Sequence, residues 1–200
     1  MWPGEEQAWD ALSKLDHETV QKNALAFFDP LACSYTLICF GNKINITIPD
    51  RSFSVDSGVI NTVITDLSDY SKLSILNYLV HAREIPLSEH LVRPADLSGG
   101  DIFSRGTHVL PLDKISDKYN NDRENFFKKG SELGGSQLEY GDMALRLFPL
   151  PRILVVLIVW SGDDEFPPRS SLLFDSSCTF HMPIDTLWST AMLTVQMMLS

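Results

Sequence analysis

The sequence predicts an α+β fold in a single domain, a mainly antiparallel sheet flanked by helices. Three observations carry that expectation. Apolar residues recur at helical spacing near both ends and through the middle of the chain, which is the period of amphipathic helices. Between them, SYTLICFGNKINITIP alternates apolar and polar residues on either side of Gly41-Asn42, a hairpin signal. Ile153 to Trp160, ILVVLIVW, is a continuous run rich in β-branched residues, which suits a strand covered on both faces. Two hundred residues, 1–200, fit one such domain, and a chain of this length buries roughly 70% of its unfolded surface without staples.

The elements follow in order. Residues 5–28 read as an amphipathic helix through Trp9, Leu12, Leu15, Val20, Ala24, Phe27 and Phe28, interrupted near Asp16 and stopped by Asp29-Pro30. The hairpin comes next, with Cys33 before and Cys39 within its first strand. From Thr65 to His81 the residues Leu67, Tyr70, Leu73, Leu76, Leu79 and Val80 predict a second helix, capped by Asp66 or Ser68. Residues 84–113 hold three prolines and three glycines with no steady period; so long an irregular stretch is usually functional or covers a surface. Helical spacing returns from Lys114 to Glu132 through Ile115, Tyr119, Phe126 and Phe127, ending at Gly134-Gly135. Leu138 to Phe148 alternates around Gly141 as a strand, and Arg152 to Trp160 is the central one. Leu172 to Phe174 is a short strand that Thr179 to His181 extends, and Asp185 to Leu199 is a last helix burying Leu187, Met192, Val195 and Met198. The chain has no internal repeat and no linker composition.

Composition excludes several classes of function. A net charge of −10 opposes non-specific binding to nucleic acid or to anionic membranes. Three cysteines without a CxxC pair make neither a disulfide framework nor, by themselves, a metal or iron–sulfur site. The opening MWPGEEQAWD lacks the basic start and apolar core of a signal peptide. The longest apolar run, Ile153 to Trp160, falls far short of the roughly 20 residues of a spanning helix. The expected location is cytoplasmic.

Two stretches are candidates for chemistry. In SGGDIFSRGTHVLP, residues 98–111, glycines permit close backbone approach or positive φ, Phe103 anchors the loop, and Arg105 and His108 offer a cation and a titratable ring. The bland alternative is a crossover loop whose glycines serve turns. The spacing of a phosphate loop is absent. In WSGDDEFPPRSSLLFD, residues 160–175, Asp163, Asp164 and Glu165 end the most apolar strand, and such neighbours repel unless water or a counter-charge screens them. Pro167 and Pro168 restrict the exit and Phe166 is expected to bury, which holds the turn. The cluster reads as a solvated turn, a structural knot of salt bridges or backbone caps, or a ligand or metal site. Hard-cation binding needs about six oxygens, of which these acids and Asp175 supply only some. Acid–base work by His108 or His181 with Asp164 or Glu165 depends on distances the sequence does not fix, and no GxSxG, HExxH or Cys–His signature appears.

SGGDIFSRGTHVLPLD and LGGSQLEYGDMALRLFPLPRILVVLIVWSGDDEFPPRSSLLFDSSCTFHMPIDTLW, together with GNKINITIPD and NYLVHAREIPLS, resemble a bacterial and archaeal family of unknown function labelled as iron–sulfur proteins. The resemblance covers nearly the whole chain and is most specific at Gly99-Gly100, His108, Leu133 to Gly135, Gly141-Asp142, Leu150-Pro151 and Trp160 through Asp175. It implies occurrence in anaerobes, near cluster-binding domains and corrinoid-dependent or one-carbon metabolism. The cysteine-rich cluster motif is missing here, so any cluster belongs to a neighbour. The resemblance supplies no catalytic residue.

The expected function is small-ligand or cofactor handling, with a small molecule or a corrinoid or iron–sulfur protein as partner. The expected pocket joins Gly99, Gly100, Phe103, Arg105 and His108 to Trp160, Asp163, Asp164 and Glu165, with His108 as a metal ligand in one version. The alternatives are a hydrolytic enzyme using the acidic cluster with acid–base or metal assistance, and an adaptor docking a redox partner through an acidic face.

Overall fold

A computed structural model describes residues 3–55, 69–104 and 106–200. The expected start of the second helix, Thr65 to Ser68 with its caps Asp66 and Ser68, lies outside the described residues, as does Arg105. The fold is α+β in one domain, but the strands form two sheets rather than one.

Residues 3–29 make two helices and a strand where a single helix, interrupted near Asp16, was expected over 5–28. α1 (Pro3–Leu12) ends in a turn, and Asp16 starts α2 (His17–Ala24) by accepting the Thr19 N–H at 2.9 Å, an N-cap. Leu25, in the left-handed region at φ 52°, ends α2 and sends the chain into β1 (Phe27–Asp29). β1, β2 (Ser34–Cys39), β3 (Asn42–Thr47) and β4 (Ser52–Val55) form an antiparallel meander in chain order, and β2–β3 is the expected hairpin, with Cys39 opposite Asn42.

α3 (Asp69–His81) leads into residues 82–111, which hold the two-residue strand β5 (Leu91–Val92) and three short 3-10 turns. The helix expected over Lys114 to Glu132 is two, α4 (Leu112–Tyr119) and α5 (Arg123–Glu132), because Asp122 restarts the helix by accepting from the Asn125 N–H. Leu138 to Phe148 likewise divides: β6 (Ser136–Leu138) and β7 (Met143–Leu150) pair antiparallel, and Gly141 turns the corner at φ 55°. β8 (Ile153–Trp160) and β9 (Arg169–Asp175) complete a second antiparallel sheet in the order β5-β9-β8-β7-β6. Thr179 to His181 does not extend β9. Asp175 accepts the Ser177 N–H and turns the chain into a 3-10 segment, Ser176–Phe180, before α6 (Ile184–Leu199).

One hydrophobic core spans both sheets, drawing Leu37, Ile44 and Ile46 from the first and Leu147, Val155, Leu157 and Phe174 from the second. The Phe40 N–H donates to the Phe148 carbonyl at 3.2 Å and ties the sheets together. β8 is the predicted central strand, buried from Ile153 through Val159. Its inner residues Val155, Leu157 and Val159 belong to the same core as α6 residues such as Leu193 and Val195. Its outer residues Leu154, Val156 and Ile158 form a separate small cluster with Ala144, flanked by Leu87, Leu91, Leu138, Phe148, Trp160 and Leu173. No described helix contributes a residue to that outer cluster.

Candidate functional site

In the first of the two stretches singled out from the sequence, Phe103 lies by Phe174 near the end of β9, whereas the carbonyl of Leu112, the residue that follows this stretch, accepts the Ser170 hydroxyl near the start of β9, where Trp160 pairs with Arg169. Gly99 has φ 78°, and a Cβ on Gly100 would lie 2.1 Å from the Pro94 carbonyl oxygen, so both glycines serve a tight structural turn. Phe103 is buried with its ring 6.3 Å from that of Phe174, near the end of β9. His108 packs edge-on against Trp188 at 4.8 Å, while its carbonyl accepts the indole N–H. Trp160 pairs with Arg169 at the start of β9, five residues from Phe174, or roughly 17 Å at the usual strand rise.

The acidic turn is solvent-facing and internally satisfied. Asp163 Oδ1 accepts the N–H groups of Glu165 at 2.9 Å and Phe166 at 2.7 Å. Those donors hold its carboxyl below the ordinary carboxylate value, Phe166 contributing most. Asp164 and Glu165 are exposed, and so is Phe166, at 67%, against the expectation that it would bury. Gly162 donates to Asn120 at 3.0 Å and Ser161 to Asp142 at 2.8 Å, which pin the turn to its neighbours. No hydrogen bond joins His108 or His181 to these acids among the described residues. Asp175, at the far end of β9, shares no site with them.

Among the described residues no group of three or more His, Cys, Asp or Glu side chains is placed to hold a metal ion. A resident iron–sulfur cluster does not fit. Burial pushes the thiols of Cys39 and Cys178 up to about 12, so both stay protonated, and Cys33 stands without a cluster of further ligands.

A cleft that sequence reasoning missed lies on the outer face of the five-stranded sheet. It has a volume of about 200 Å³. Leu154 and Val156 of β8 form its floor; Leu138, Tyr140 and Arg146 stand on one side and Leu87, Glu89 and Leu91 on the other. Arg146 projects from β7 opposite Val156. Its guanidinium lies 5.3 Å from the Phe148 ring centroid, and its buried Nε has no hydrogen-bond partner. Tyr140 is 48% exposed at the rim. Trp160, further along the same face, has Arg169 stacked over its ring at 4.5 Å.

Asp175 closes one end of the cleft and anchors that wall. Its oxygens accept the N–H and hydroxyl of Ser88, the N–H of Glu89, and the N–H and hydroxyl of Ser177. Burial works to raise its carboxyl, yet these donors prevail and hold it below the ordinary value. Just beyond it, His181 is fully buried. Desolvation first, then the charge of Arg152, depress its imidazole to about 4, and its Nε2 has no partner.

The fold and the cleft define a small α+β protein with an apolar sheet face that no described helix covers. The chain belongs to the family described as "Domain of unknown function (DUF3786)", whose model matches residues 16–197. No curated protein and no solved structure matches it. No described helix is long and apolar enough to cross a membrane.

Proposed function

We propose that the protein binds a small organic ligand in the cleft on the outer face of the five-stranded sheet. The observation that carries this reading is an apolar floor, Leu154 and Val156, edged by Tyr140, Arg146 and Glu89 and left uncovered by every described helix. Concave apolar surface with a few converging polar groups is the usual form of a small-molecule site. An antiparallel sheet face not packed against other elements is more often polar. On this reading the ligand lies apart from the acidic turn and the glycine loop, where the sequence pointed.

The narrower reading is cofactor or metabolite handling in the corrinoid- or iron–sulfur-linked metabolism of anaerobes, inside the cytoplasm. It is supported by the family resemblance, and the free cysteines suit a reducing compartment. In it the cluster or corrinoid rides on a partner protein. The adaptor alternative is supported by the exposure of Asp163, Asp164 and Glu165, and it requires a complex that weakens as salt rises. The hydrolytic alternative has no such support, since the turn spends Asp163 on its own backbone.

The test is a ligand-detected NMR screen of the full chain against neutral, anionic and cationic small molecules, repeated on Leu87→Trp and Leu138→Trp. Both substitutions fill the cleft from its half-buried rim. Binding to the wild type that both variants abolish, with melting temperatures retained, supports the reading. Binding that survives both variants refutes it.

A further inference from the structure

We propose that the ligand of this cleft is a monocarboxylate with a short apolar body, its carboxylate held by the Arg146 guanidinium. The proposal rests on the ligand-binding reading above and adds the chemistry of the head group.

Arg146 is the reason. A guanidinium is always charged and presents its donors as a planar fork. Here the fork stands among Leu138, Leu154 and Val156, leans on the Phe148 ring, and leaves the buried Nε unpaired. Such a donor is costly to leave unmade. The protein does not lack acids, with 26 Asp and Glu against 16 Lys and Arg, yet among the described residues none forms an ion pair with Arg146. The nearest candidates are otherwise disposed. Asp175 is saturated by Ser88, Glu89 and Ser177, and the Glu89 carboxylate forms no ion pair with Arg146.

The lining holds one cation, Arg146, and two carboxylates, of which Asp175 is taken up by its own donors and Glu89 is exposed to water. A carboxylate matches a guanidinium with two parallel N–H···O bonds and neutralises it, whereas a phosphate dianion would leave a second charge against apolar walls. The body must suit those walls and the size. A cleft of about 200 Å³ equals the liquid volume of roughly seven waters, enough for a short aliphatic chain or a single ring. The Tyr140 hydroxyl at the rim supplies a further donor or a ring wall.

Isothermal titration of the full chain with hexanoate, benzoate, hexan-1-ol, hexylamine and inorganic phosphate tests this. The two carboxylates are expected to bind, with hexan-1-ol at least about tenfold weaker and the amine and phosphate silent. Arg146→Gln is expected to weaken hexanoate about ten- to hundredfold and leave hexan-1-ol unchanged. The selectivity of the wild-type chain decides the matter even if the variant folds poorly. Equal binding of hexan-1-ol and hexanoate, indifferent to Arg146→Gln, overturns the carboxylate while the cleft keeps its ligand. Phosphate binding that depends on Arg146 overturns it in favour of an inorganic anion. Silence from all five, with no compound of the wider screen lost on Leu87→Trp, overturns both readings.

Discussion

Asp175 and Arg146 face the same cleft in opposite conditions, and their difference separates what holds the fold from what awaits a ligand. Asp175 is wholly buried and takes donors from three residues on two segments. Asp175→Ala would strand the N–H groups of Ser88, Glu89 and Ser177 and is expected to cost about 3 kcal/mol or more in urea unfolding. Asp175→Asn, which keeps an acceptor, should lose less. Arg146 Nε has no hydrogen-bond partner, and among the described residues no salt bridge holds the guanidinium. Arg146→Met keeps the apolar stem and removes an unmet charge, so stability is expected to remain within about 1 kcal/mol of wild type or to rise. A group whose removal spares the fold but abolishes carboxylate binding would be a binding group in the strict sense. A loss of several kcal/mol in Arg146→Met would mean that the cation serves the fold.

At the scale of elements, the β6–β7 turn shapes the cleft's rim. Gly141 sits at φ 55°, and a Cβ there would come 2.7 Å from Ile158 Cγ2 and 3.0 Å from the Val159 carbonyl. Gly141→Ala is therefore expected to lower stability by about 1–3 kcal/mol in thermal unfolding and to loosen Tyr140, which precedes it. Elements set by local pattern were legible in the sequence: the Gly41-Asn42 hairpin, β8 and α6 all stand where periodicity placed them. Breaks set by a single side chain were not. Asp16 and Asp122 restart helices by capping; the apolar spacing falters near Asp16 but gives no sign of a break at Asp122. The cleft had a partial signal in MALRLFPL, where Ala144, Arg146 and Phe148 alternate with Met143, Leu145 and Leu147. A charge on an otherwise apolar strand face is visible there. That the helices gather on the other face depends on tertiary packing, which no strand pattern encodes. The role of the glycine loop was not legible for a related reason: Gly99 and Gly100 answer to a left-handed turn and to the Pro94 carbonyl, and a structural glycine looks the same in sequence as one lining a pocket.

For the molecule as a whole, the two sheets share one core, and His181 makes its stability depend on pH. Burial and Arg152, with Arg83 adding and Asp175 opposing, lower this imidazole from 6.5 to about 4, so the folded state keeps it neutral. The unfolded chain takes up a proton below about 6.5 while the folded one resists until about 4. Stability is thus complete above the first value and falls as pH drops between them, by up to roughly 3 kcal/mol. Asp175, held below its ordinary 3.8, adds a further loss at still lower pH. Urea midpoints should decline across the His181 window in wild type and much less in His181→Gln. Against that background, the central claim concerns one face of the sheet. A ¹⁵N-resolved NMR titration with benzoate near neutral pH tests it most directly, because the Arg146 Nε–H gives its own signal. The expected result is a saturable shift of that signal together with the amides of Leu87 to Leu91, Leu138, Tyr140, Leu154 and Val156. Shifts confined to residues 98–111 or 160–166, or an Arg146 signal that never moves, would contradict it.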